Sequence, residues 1–348
     1  MRKNSKMFAS IKTLTNQPGN LPLVTVVTPS FNQANFLEYT LRSVLAQDYP
    51  AIEYLVVDGG STDGSVETLR TYADRLAWWV SEPDQGQASA IAKGFARAHG
   101  EIIAWLNSDD LYLPGAIRAA VRGLQARPDA GMIYGNAITI DAQGRPLNRL
   151  DFTDYNLIDL MSFRIICQPS VFMRRRIYEQ VGGIDPAYHF MLDHHLWIRM
   201  AKTAPIVHIS ETWSAARHHQ SAKNASQAAG FSGEILLSLK WMESSPQLKP
   251  LVEKNRRKIL GGAYRLHARY LLEGGLPGPA LQSYFRSLIY QPGYALQHWH
   301  RMLFAAAGLV GLQGAAWQLA AQRKNPRLVS HFDPGWKSWP GLQINEGR

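Results

Sequence analysis

The sequence predicts an α/β protein whose mixed, mostly parallel Rossmann-like sheet is followed by a C-terminal helical region. From residue 22 to about residue 220, short β-branched or aromatic runs alternate with segments of helical apolar spacing. Residues 24–63 contain a strand–helix–strand unit of the size of a right-handed parallel crossover. Beyond about residue 230 the pattern is helical only. Together these observations favour one α/β layer structure with a helical appendage.

The elements follow in order along the chain. The run VTVVT at 24–28 stops at Pro29, a helix follows, and the run EYLVVD at 53–58 ends in a Gly-rich turn. The first helix is marked by Leu37, Leu41, Val44 and Leu45. Further strands are predicted at AWWV (77–80), EIIAWL (101–106), GMIYG (131–135), PSVFM (169–173) and PIVHI (205–209). Further helices are marked by Ala88, Ile91, Ala92 and Phe95, by Ile117, Ala120, Val121 and Leu124, and by Leu196, Trp197 and Met200.

Three regions are expected: a flexible lead-in at 1–21, an α/β domain at 22–220, and a basic, mainly helical region at 221–348. The stretch SAKNASQAAG at 221–230 has the composition of a boundary. Residues 217–348 carry 17 basic and 6 acidic side chains, so the net charge of +10 belongs to the last third of the chain. Such a surface fits an anionic membrane or a phosphorylated substrate, and solvated helix faces are an equally good interpretation. No nucleic-acid-binding motif accompanies it, so we expect no nucleic acid partner.

Cys167 is the only cysteine, which excludes an intramolecular disulfide and a zinc site built on cysteines. The first 20 residues lack an apolar segment of the signal-peptide type, so a cytoplasmic location is expected. The uncharged stretch 302–320 is short and weakly apolar, which favours a buried or interfacial helix over a membrane span.

The strand at 101–106 is followed by Asn107, Ser108, Asp109 and Asp110. Ligands bind at the carboxyl ends of strands in open α/β sheets, and adjacent carboxylates there suit Mg²⁺ or Mn²⁺ shared with substrate phosphates. The alternative is that Asp110 caps the helix starting near Pro114 and that Asp109 is merely solvated. The turn at Asp58 on the same sheet edge favours the functional interpretation.

Three segments together resemble family 2 glycosyltransferases with the GT-A fold: SVLAQDYPAIEYLVVDGGSTDGS (43–65), SEPDQGQASAIAKGFARAHGEIIAWLNSDDLYLPGAI (81–117) and FMLDHHLWIRMA (190–201). The resemblance covers about residues 22–220. It implies a nucleotide-diphospho-sugar donor, a divalent cation (Mg²⁺ or Mn²⁺), and inversion by a single displacement. The implied donor-binding residues are Thr28, Ser30, Asp58 (to the nucleobase), Ser61, Lys93, Asn107, Ser108 and Asp109.

The resemblance also implies metal ligands at Asp109 and Asp110. It places an Arg-x-His element, at Arg217–His219, over the diphosphate, where either His218 or His219 would complete the metal shell or donate to the leaving phosphate, and His219 fits the spacing better. Asn107 stands where relatives carry the first aspartate of the DxD motif, so the metal site has one charge fewer. Ser89 and Ala92 stand where relatives commonly carry Asp and Asn. These three departures keep open a non-catalytic nucleotide-sugar-binding or scaffolding role.

Asp193 falls at the position of the family's catalytic base, with Leu192 in place of the usual preceding acid. An apolar neighbourhood would raise its pKa toward that of a useful general base. Standing alone, an aspartate before a helix is more simply an N-cap. His194 and His195 are expected to border the acceptor site.

The sequence contains no QxxRW segment, which processive polysaccharide synthases of this family carry, so addition of a single sugar is favoured. The implied acceptor is a glycan or a lipid-linked molecule of cell-surface polysaccharide or glycolipid assembly. The basic, aromatic C-terminal region suggests peripheral contact with the inner face of a membrane.

Overall fold

The computed structural model of the chain describes residues 21–312, and their strands build one mixed sheet. The strands are β1 (Val24–Ser30), β2 (Ile52–Asp58), β3 (Trp78–Ser81), β4 (Ile102–Trp105), β5 (Leu111–Tyr112), β6 (Met132–Ile140), β7 (Pro146–Leu150), β8 (Val171–Arg174) and β9 (Ile206–Arg217). Their order is β3-β2-β1-β4-β8-β6-β9-β5, with β7 paired to β6. Most paired residues lie in the parallel ladders β1–β2, β1–β4, β2–β3 and β6–β9. The predicted mixed, mostly parallel α/β sheet is therefore confirmed.

Helices cover the sheet, and after β9 the described chain contains helices only. Those of the α/β part are α1 (Ala34–Leu45), α2 (Ser65–Tyr72), α3 (Gln87–Phe95), α4 (Ala116–Ala126), α5 (Leu157–Met161), α6 (Arg175–Gln180) and α7 (Leu192–Thr203). The following helices are α8 (Lys223–Ser226), α9 (Ala228–Ser244), α10 (Lys249–Lys254), α11 (Arg256–Glu273), α12 (Pro277–Tyr290), α13 (Pro292–Leu296) and α14 (Trp299–Leu309). The predicted lead-in and the part of the predicted C-terminal region after residue 312 lie outside the described residues.

The strand register places polar residues side by side at the carboxyl edge of the sheet. Ser30 pairs with Asp58, and Asp58 pairs with Ser81. The strand β1 is wholly buried, as expected of a central strand covered by helices on both faces. The sheet thus brings the ends of β1, β2 and β4 together around one opening.

Two strands were not predicted. The strand β5 has only two residues, too few for a periodic pattern, and it forms because Leu111 and Tyr112 pair with β9. The strand β7 reads PLNRL, which lacks β-branched residues, and it is held by its pairing with β6. Both depend on partners distant in sequence.

The hydrophobic core continues across the predicted boundary at residue 220. One buried cluster includes Val27 and Trp197 of the α/β part together with Ile235 and Leu266 of the helical region. At Gly262 on α11, a Cβ atom would lie 1.9 Å from the carbonyl oxygen of Ser162, so α11 packs directly against the backbone that follows α5. The helical region is therefore packed as part of the same body as the sheet.

Between residues 21 and 312, no helix has the length and apolar character needed to cross a membrane. Of the uncharged stretch 302–320, residues 302–309 belong to α14, and residues 313–320 lie outside the described part.

Candidate functional site

A cavity of about 650 Å³ opens at the carboxyl edge of the sheet. Its walls come from the end of β1, the segment after β4, the start of α3, the start of α7 and the helical region. Six of the predicted site residues line it: Ser30, Asn107, Ser108, Asp109, Asp110 and Asp193. The topology therefore brings the acidic segment after β4 and the aspartate of α7 into one site.

Asp109, on the cavity wall, forms a close pair with His219, which lies behind it and is not itself part of the lining. The Nε2 atom of His219 lies 3.0 Å from Oδ2 of Asp109, and its Nδ1 lies 2.8 Å from the hydroxyl of Ser221. The imidazole also packs on the ring of Phe36, with 4.5 Å between the centroids. These contacts fix the ring orientation and aim one nitrogen at the carboxylate.

The neighbouring Asp110 is bound differently. Its Oδ1 accepts a hydrogen bond from the backbone N–H of Arg217 at 2.9 Å, and its Oδ2 accepts one from the side-chain amide of Asn107 at 3.1 Å. Burial, and then the charge of Asp109, raise the pKa of Asp110 to about 8. The structure does not support the prediction that Asp110 is a metal ligand, because both of its oxygens already hold the chain in place. Its predicted alternative as a helix cap is also wrong, since Gly115 is the N-cap of α4.

Asn107 connects the acidic segment to two glutamines. Its amide nitrogen donates to Gln168 Oε1 at 3.2 Å, and its carbonyl oxygen accepts from Gln87 Nε2 at 2.7 Å. Gln168 in turn donates to the carbonyl of Trp105, at the end of β4, at 2.8 Å. An amide at position 107 can donate and accept at once, which a carboxylate cannot.

Arg217 fixes the end of β9 over the acidic segment. Its Nε donates to the carbonyl oxygen of Asp109 at 3.0 Å, and its Nη1 donates to the carbonyl oxygens of Asp141 and Ala142. The guanidinium lies 5.0 Å from the ring centroid of Phe36. This side chain is buried, and its hydrogen bonds link the end of β9 to the acidic segment after β4 and to the turn after β6.

Asp193 is the second residue of α7, so it is not the N-cap considered above, which is Met191. Its carboxyl group faces the cavity, and burial by the surrounding atoms raises its pKa to about 6. The negative charge of Glu234 also raises this pKa, whereas hydrogen bonds from the backbone and the charge of Lys223 lower it. A carboxyl group with this pKa is deprotonated at neutral pH and basic enough to accept a proton.

The turn after β2 is organised by Asp58, which is fully buried. Its Oδ2 accepts from the backbone N–H groups of Gly60 and Ser61 and from the Ser81 hydroxyl, and its Oδ1 accepts from the Ser61 hydroxyl. Neither Asp58 nor Ser61 lines the cavity, whose wall here is formed by Gly59 and Asp84. The structure therefore corrects the direct nucleobase contact predicted for Asp58: this carboxylate supports the loop from beneath, as an Asx turn does.

Three other predictions are corrected. Thr28 lies inside β1, fully buried, and its hydroxyl is 2.9 Å from that of Tyr54, so it does not line the cavity. Lys93 lies on the outer side of α3, where its Nζ is 2.7 Å from a carboxylate oxygen of Glu82, so it is paired away from the cavity. His194 and His195 are buried in the core, where burial lowers their pKa values to about 4 and about 3. The two histidines therefore do not border an acceptor site.

Several cavity residues had no local sequence signal. They are Gln87, Gln168, Lys223, Phe231 and Tyr270, of which the last three belong to the helical region. Lys223 donates to the carbonyl of His189 and lies 5.1 Å from the ring of Phe190. Phe231 and Tyr270 stack with their centroids 4.5 Å apart. Composition assigned Lys223, Phe231 and Tyr270 to a basic, aromatic region, but only the packing of α8, α9 and α11 brings them to the cavity.

Comparison with known proteins assigns the sequence of the sheet region to a family. Residues 25–182 match the family model described as glycosyl transferase family 2. The chain therefore contains a family 2 glycosyltransferase domain. The predicted family is thus confirmed, and the resemblance noted at residues 190–201 lies beyond the matched part.

Relatives of this domain include uncharacterized glycosyltransferases. An uncharacterized glycosyltransferase of Rickettsia conorii is 28% identical over 268 residues, which is 72% of this chain and 42% of the relative. One of Rickettsia felis is 31% identical over 212 residues, covering 58% of this chain and 35% of the relative. One of Mycobacterium tuberculosis is 29% identical over 187 residues, which is 52% of this chain and 69% of the relative. The chain spans less than half the length of the two Rickettsia relatives.

Solved structures share the GT-A fold of this domain. S. aureus TarS, residues 1–349, superposes with a TM-score of 0.57 at 14% identity over 86% of this chain and 91% of TarS. The mannosyltransferase PcManGT from Pyrobaculum calidifontis, in complex with GDP-Man and Mn²⁺, superposes with a TM-score of 0.56 at 22% identity over 86% of this chain and 89% of that one. TarS has also been solved in complex with UDP-GlcNAc. These similarities establish the fold.

The donor atoms at the cavity fit a divalent cation only together with a ligand from the substrate. Within residues 21–312, no group of three or more His, Cys, Asp or Glu side chains is placed to hold a metal ion. His219 Nε2 and Asp109 Oδ2 lie 3.0 Å apart, a hydrogen-bond distance that is also the spacing of two adjacent ligands on an octahedral ion, roughly 3.0 Å for bonds of about 2.1 Å. Mg²⁺ and Mn²⁺ sites are commonly completed by water and substrate phosphates. The fit is therefore to two protein ligands, Asp109 and His219.

Proposed function

We propose that this chain is a divalent-cation-dependent, inverting glycosyltransferase that moves one sugar from a nucleotide-diphospho-sugar to an acceptor hydroxyl. The observation that carries the proposal is the composition of one cavity. Asp109, paired with His219, belongs to its wall after β4, and Asp193, with a pKa raised to about 6, lies at the start of α7 on the same cavity. A cation site and a general base are the two components that such a transfer requires.

The donor would occupy the part of the cavity nearest the sheet. Ser30 belongs to this wall, and its buried hydroxyl makes no hydrogen bond to any described residue, so a hydrogen bond to a ligand would satisfy it. Asp84 and Gly59 form the adjoining wall and suit a nucleobase or ribose, while Asn107 and Ser108 lie beside Asp109. Asp58 and Ser61 would act indirectly, by holding the loop that carries Gly59.

In the proposed reaction, the acceptor hydroxyl oxygen attacks the anomeric carbon and its proton passes to a carboxylate oxygen of Asp193. The bond between the anomeric carbon and the diphosphate oxygen breaks in the same step, so the configuration inverts. A bound Mg²⁺ or Mn²⁺ would neutralise the negative charge that develops on the leaving nucleoside diphosphate. Asp109 and His219 would hold this ion, and Arg217 would keep both residues in position.

The acceptor would enter past the helical region. Phe190, Phe231 and Tyr270 form a continuous aromatic wall, and Lys223 lies against Phe190. Sugar rings present apolar C–H faces that pack on aromatic rings, and an ammonium group suits an acidic or phosphorylated acceptor. These features support a glycan or lipid-linked acceptor of cell-surface polysaccharide or glycolipid assembly.

Contact with the inner face of a membrane is a further part of this proposal. Apolar residues that are more than half exposed include Leu296 at the end of α13, Trp299 and Leu303 on one face of α14, and Val310 just after it. No acidic residue occurs from 274 to 312. An apolar helix face without acidic neighbours suits an anionic lipid surface. We expect sedimentation with anionic vesicles that Leu303→Asp weakens, and equal binding by the variant would overturn this contact.

The function is tested first with a panel of nucleoside diphosphates and their sugars, with and without Mn²⁺. A ligand present at about 100 times its dissociation constant stabilises the folded protein by about 2.7 kcal/mol, a shift that thermal unfolding detects. We expect stabilisation by one nucleotide that needs Mn²⁺ and is lost in Asp109→Ala. Asp193→Asn should still bind that donor but lose transfer by on the order of 10²–10⁴-fold. Donor binding without any turnover would support the non-catalytic alternative instead.

A further inference from the structure

The segment 189–191, which leads into α7, is held by one buried carboxylate of the helical region. Glu234 on α9 accepts three backbone hydrogen bonds, from the N–H groups of His189 at 2.7 Å, Phe190 at 2.8 Å and Met191 at 2.7 Å. Only 8% of Glu234 is exposed. A buried carboxylate with three N–H donors is well satisfied, and such charge-assisted bonds are stronger than neutral ones.

A second charged residue, Lys223, binds a carbonyl group of the same segment. Lys223 donates to the carbonyl oxygen of His189, so the segment is bound through both its N–H and its C=O groups. Burial lowers the pKa of Lys223, and the negative charges of Glu234 and Asp193 oppose this effect. The two side chains therefore lie close enough for their charges to interact with each other and with Asp193.

The helix α9 approaches this segment closely because of its sequence. One turn before Glu234, a Cβ atom on Gly230 would lie 2.4 Å from the ring of Phe190. Two turns after Glu234, Trp241 contacts His195 of α7, with ring centroids 4.4 Å apart. Residues 230, 234 and 241 share one helix face at spacings of four and seven. This face of α9 contacts the chain on both sides of Asp193.

We propose that Glu234 is a positioning residue for the general base: by bonding the three amides before α7, it fixes the site of Asp193. This inference rests on the proposed function of Asp193. Asp193 follows Met191 by two residues, at a point where the backbone direction sets the position of its carboxyl group. A displacement of about 1 Å at a reacting group costs on the order of 10²-fold in rate, which makes such a support functionally significant. The helical region would thus determine the rate of transfer without contacting the donor.

The test compares Glu234→Gln with Glu243→Gln, a matched change on the same helix. Glu243 is exposed and is 3.8 Å from Arg256 at the surface. In Glu234→Gln one of the two acceptor oxygens becomes an N–H donor, which opposes the backbone donors. We expect hydrogen exchange at the amides of residues 189–191 to rise at least about tenfold, as expected when such bonds are lost. The Glu243 variant should match wild type.

The kinetic expectation separates positioning from general destabilisation. The variant Glu234→Gln should lower kcat at least about tenfold with donor affinity unchanged, because no donor-site residue touches Glu234. It should also move the acid limb of the pH profile to lower pH, since a negative charge near Asp193 is removed. The charges of Glu234 and Lys223 act on Asp193, whose own charge raises the pKa values of two neutral neighbours, Tyr270 and Cys167. A variant that only destabilises the fold would leave the limb in place.

The outcomes distinguish the inference from the function on which it rests. If exchange and kcat in Glu234→Gln equal those of Glu243→Gln, the positioning role is overturned. A rise in hydrogen exchange in Glu234→Gln, together with full transfer by Asp193→Asn, would mean that Glu234 does hold the segment but that Asp193 is not the base. In that case Glu234 positions no base, and the inference fails together with the proposed function. Faster exchange together with lower kcat and a shifted limb supports the inference.

Discussion

His219 Nε2 lies 3.0 Å from Asp109 Oδ2, although the two residues are 110 positions apart. The contact forms because β5, which follows Asp110, pairs with β9, whose last residue precedes His218. The imidazole ring is oriented by Ser221 and Phe36. Two potential cation ligands are therefore preset by the sheet, and this relationship leads to the first prediction.

Replacing His219 by glutamine should weaken the apparent affinity for Mn²⁺ at least about tenfold, because an oriented ligand is removed while Asp109 remains. The measurement is a Mn²⁺ titration of donor binding at a fixed nucleotide concentration. His99→Gln serves as the control, since the His99 side chain is 79% exposed at the surface. An unchanged Mn²⁺ titration in His219→Gln would remove His219 from the cation site.

The rate of transfer should depend on the protonation of Asp193. Because burial raises its pKa to about 6, kcat/KM should rise with pH through about 6 and fall about tenfold per unit below that value. Below its pKa the carboxyl group carries a proton and cannot accept another. Initial rates measured from pH 4.5 to 8 at saturating Mn²⁺ test this, and an acid limb near pH 4 would contradict it.

The same raised pKa has a consequence for stability. Between the ordinary value of 3.8 and about 6, the folded state binds more protons at Asp193 than the unfolded state, so stability at this site falls as pH rises through that window. Asp193→Asn removes the effect. We expect the Tm of the variant to equal or exceed that of wild type at pH 8 and to lose this advantage at pH 4.

The control for this comparison is Asp151→Asn, because Asp151 lies at the surface beside Arg149. Its Tm difference from wild type should not follow the same pH dependence. A strong loss of Tm in Asp193→Asn at pH 8 would mean that the ionised carboxylate stabilises the fold, contrary to the direction of its pKa shift.

Replacing Asn107 by aspartate, the residue that relatives carry there, should destabilise the folded protein. In Asn107→Asp, the side chain loses the N–H group that donates to Asp110 and Gln168, and it places a carboxylate against another carboxyl group. We expect a loss of about 1–3 kcal/mol in the free energy of unfolding, measured by urea titration. Asn35→Asp, on the exposed first turn of α1, should be neutral or slightly stabilising. Equal stability of the two variants would show that the amide network is dispensable.

The packing of the helical region on the sheet can be tested at one glycine. Gly262→Ala would place a methyl group 1.9 Å from the carbonyl oxygen of Ser162, so helix α11 must move. We expect a loss of about 1–3 kcal/mol in the free energy of unfolding. Gly233→Ala on α9 is the matched control, since nothing apart from the backbone of its own helix lies within 4 Å of the added methyl group, and its free energy of unfolding should rise by about 0.5–1 kcal/mol.

The sequence predicted the strands with continuous buried runs because their pattern is local. The run at 24–28 became β1 and the run at 53–58 became β2. In the same way, the motif at 107–110 identified a ligand-binding edge, because its position after a buried strand is visible from neighbouring residues. Asp193 was found through its family register, and its place at the cavity is consistent with the predicted role.

The sequence by itself determined the fold class, the sheet edge at which the site lies, and the chemical types of its acids. The tertiary structure alone decided which oxygens are available to a ligand. Asp58 and Asp110 look like ligands in a linear pattern, yet backbone and side-chain donors from β3 and β9 engage them. Conversely, Glu234 supports Asp193, 41 positions away, through hydrogen bonds to the backbone N–H groups of residues 189–191. Such bonds carry no sequence signature, because every residue except proline has the same N–H group.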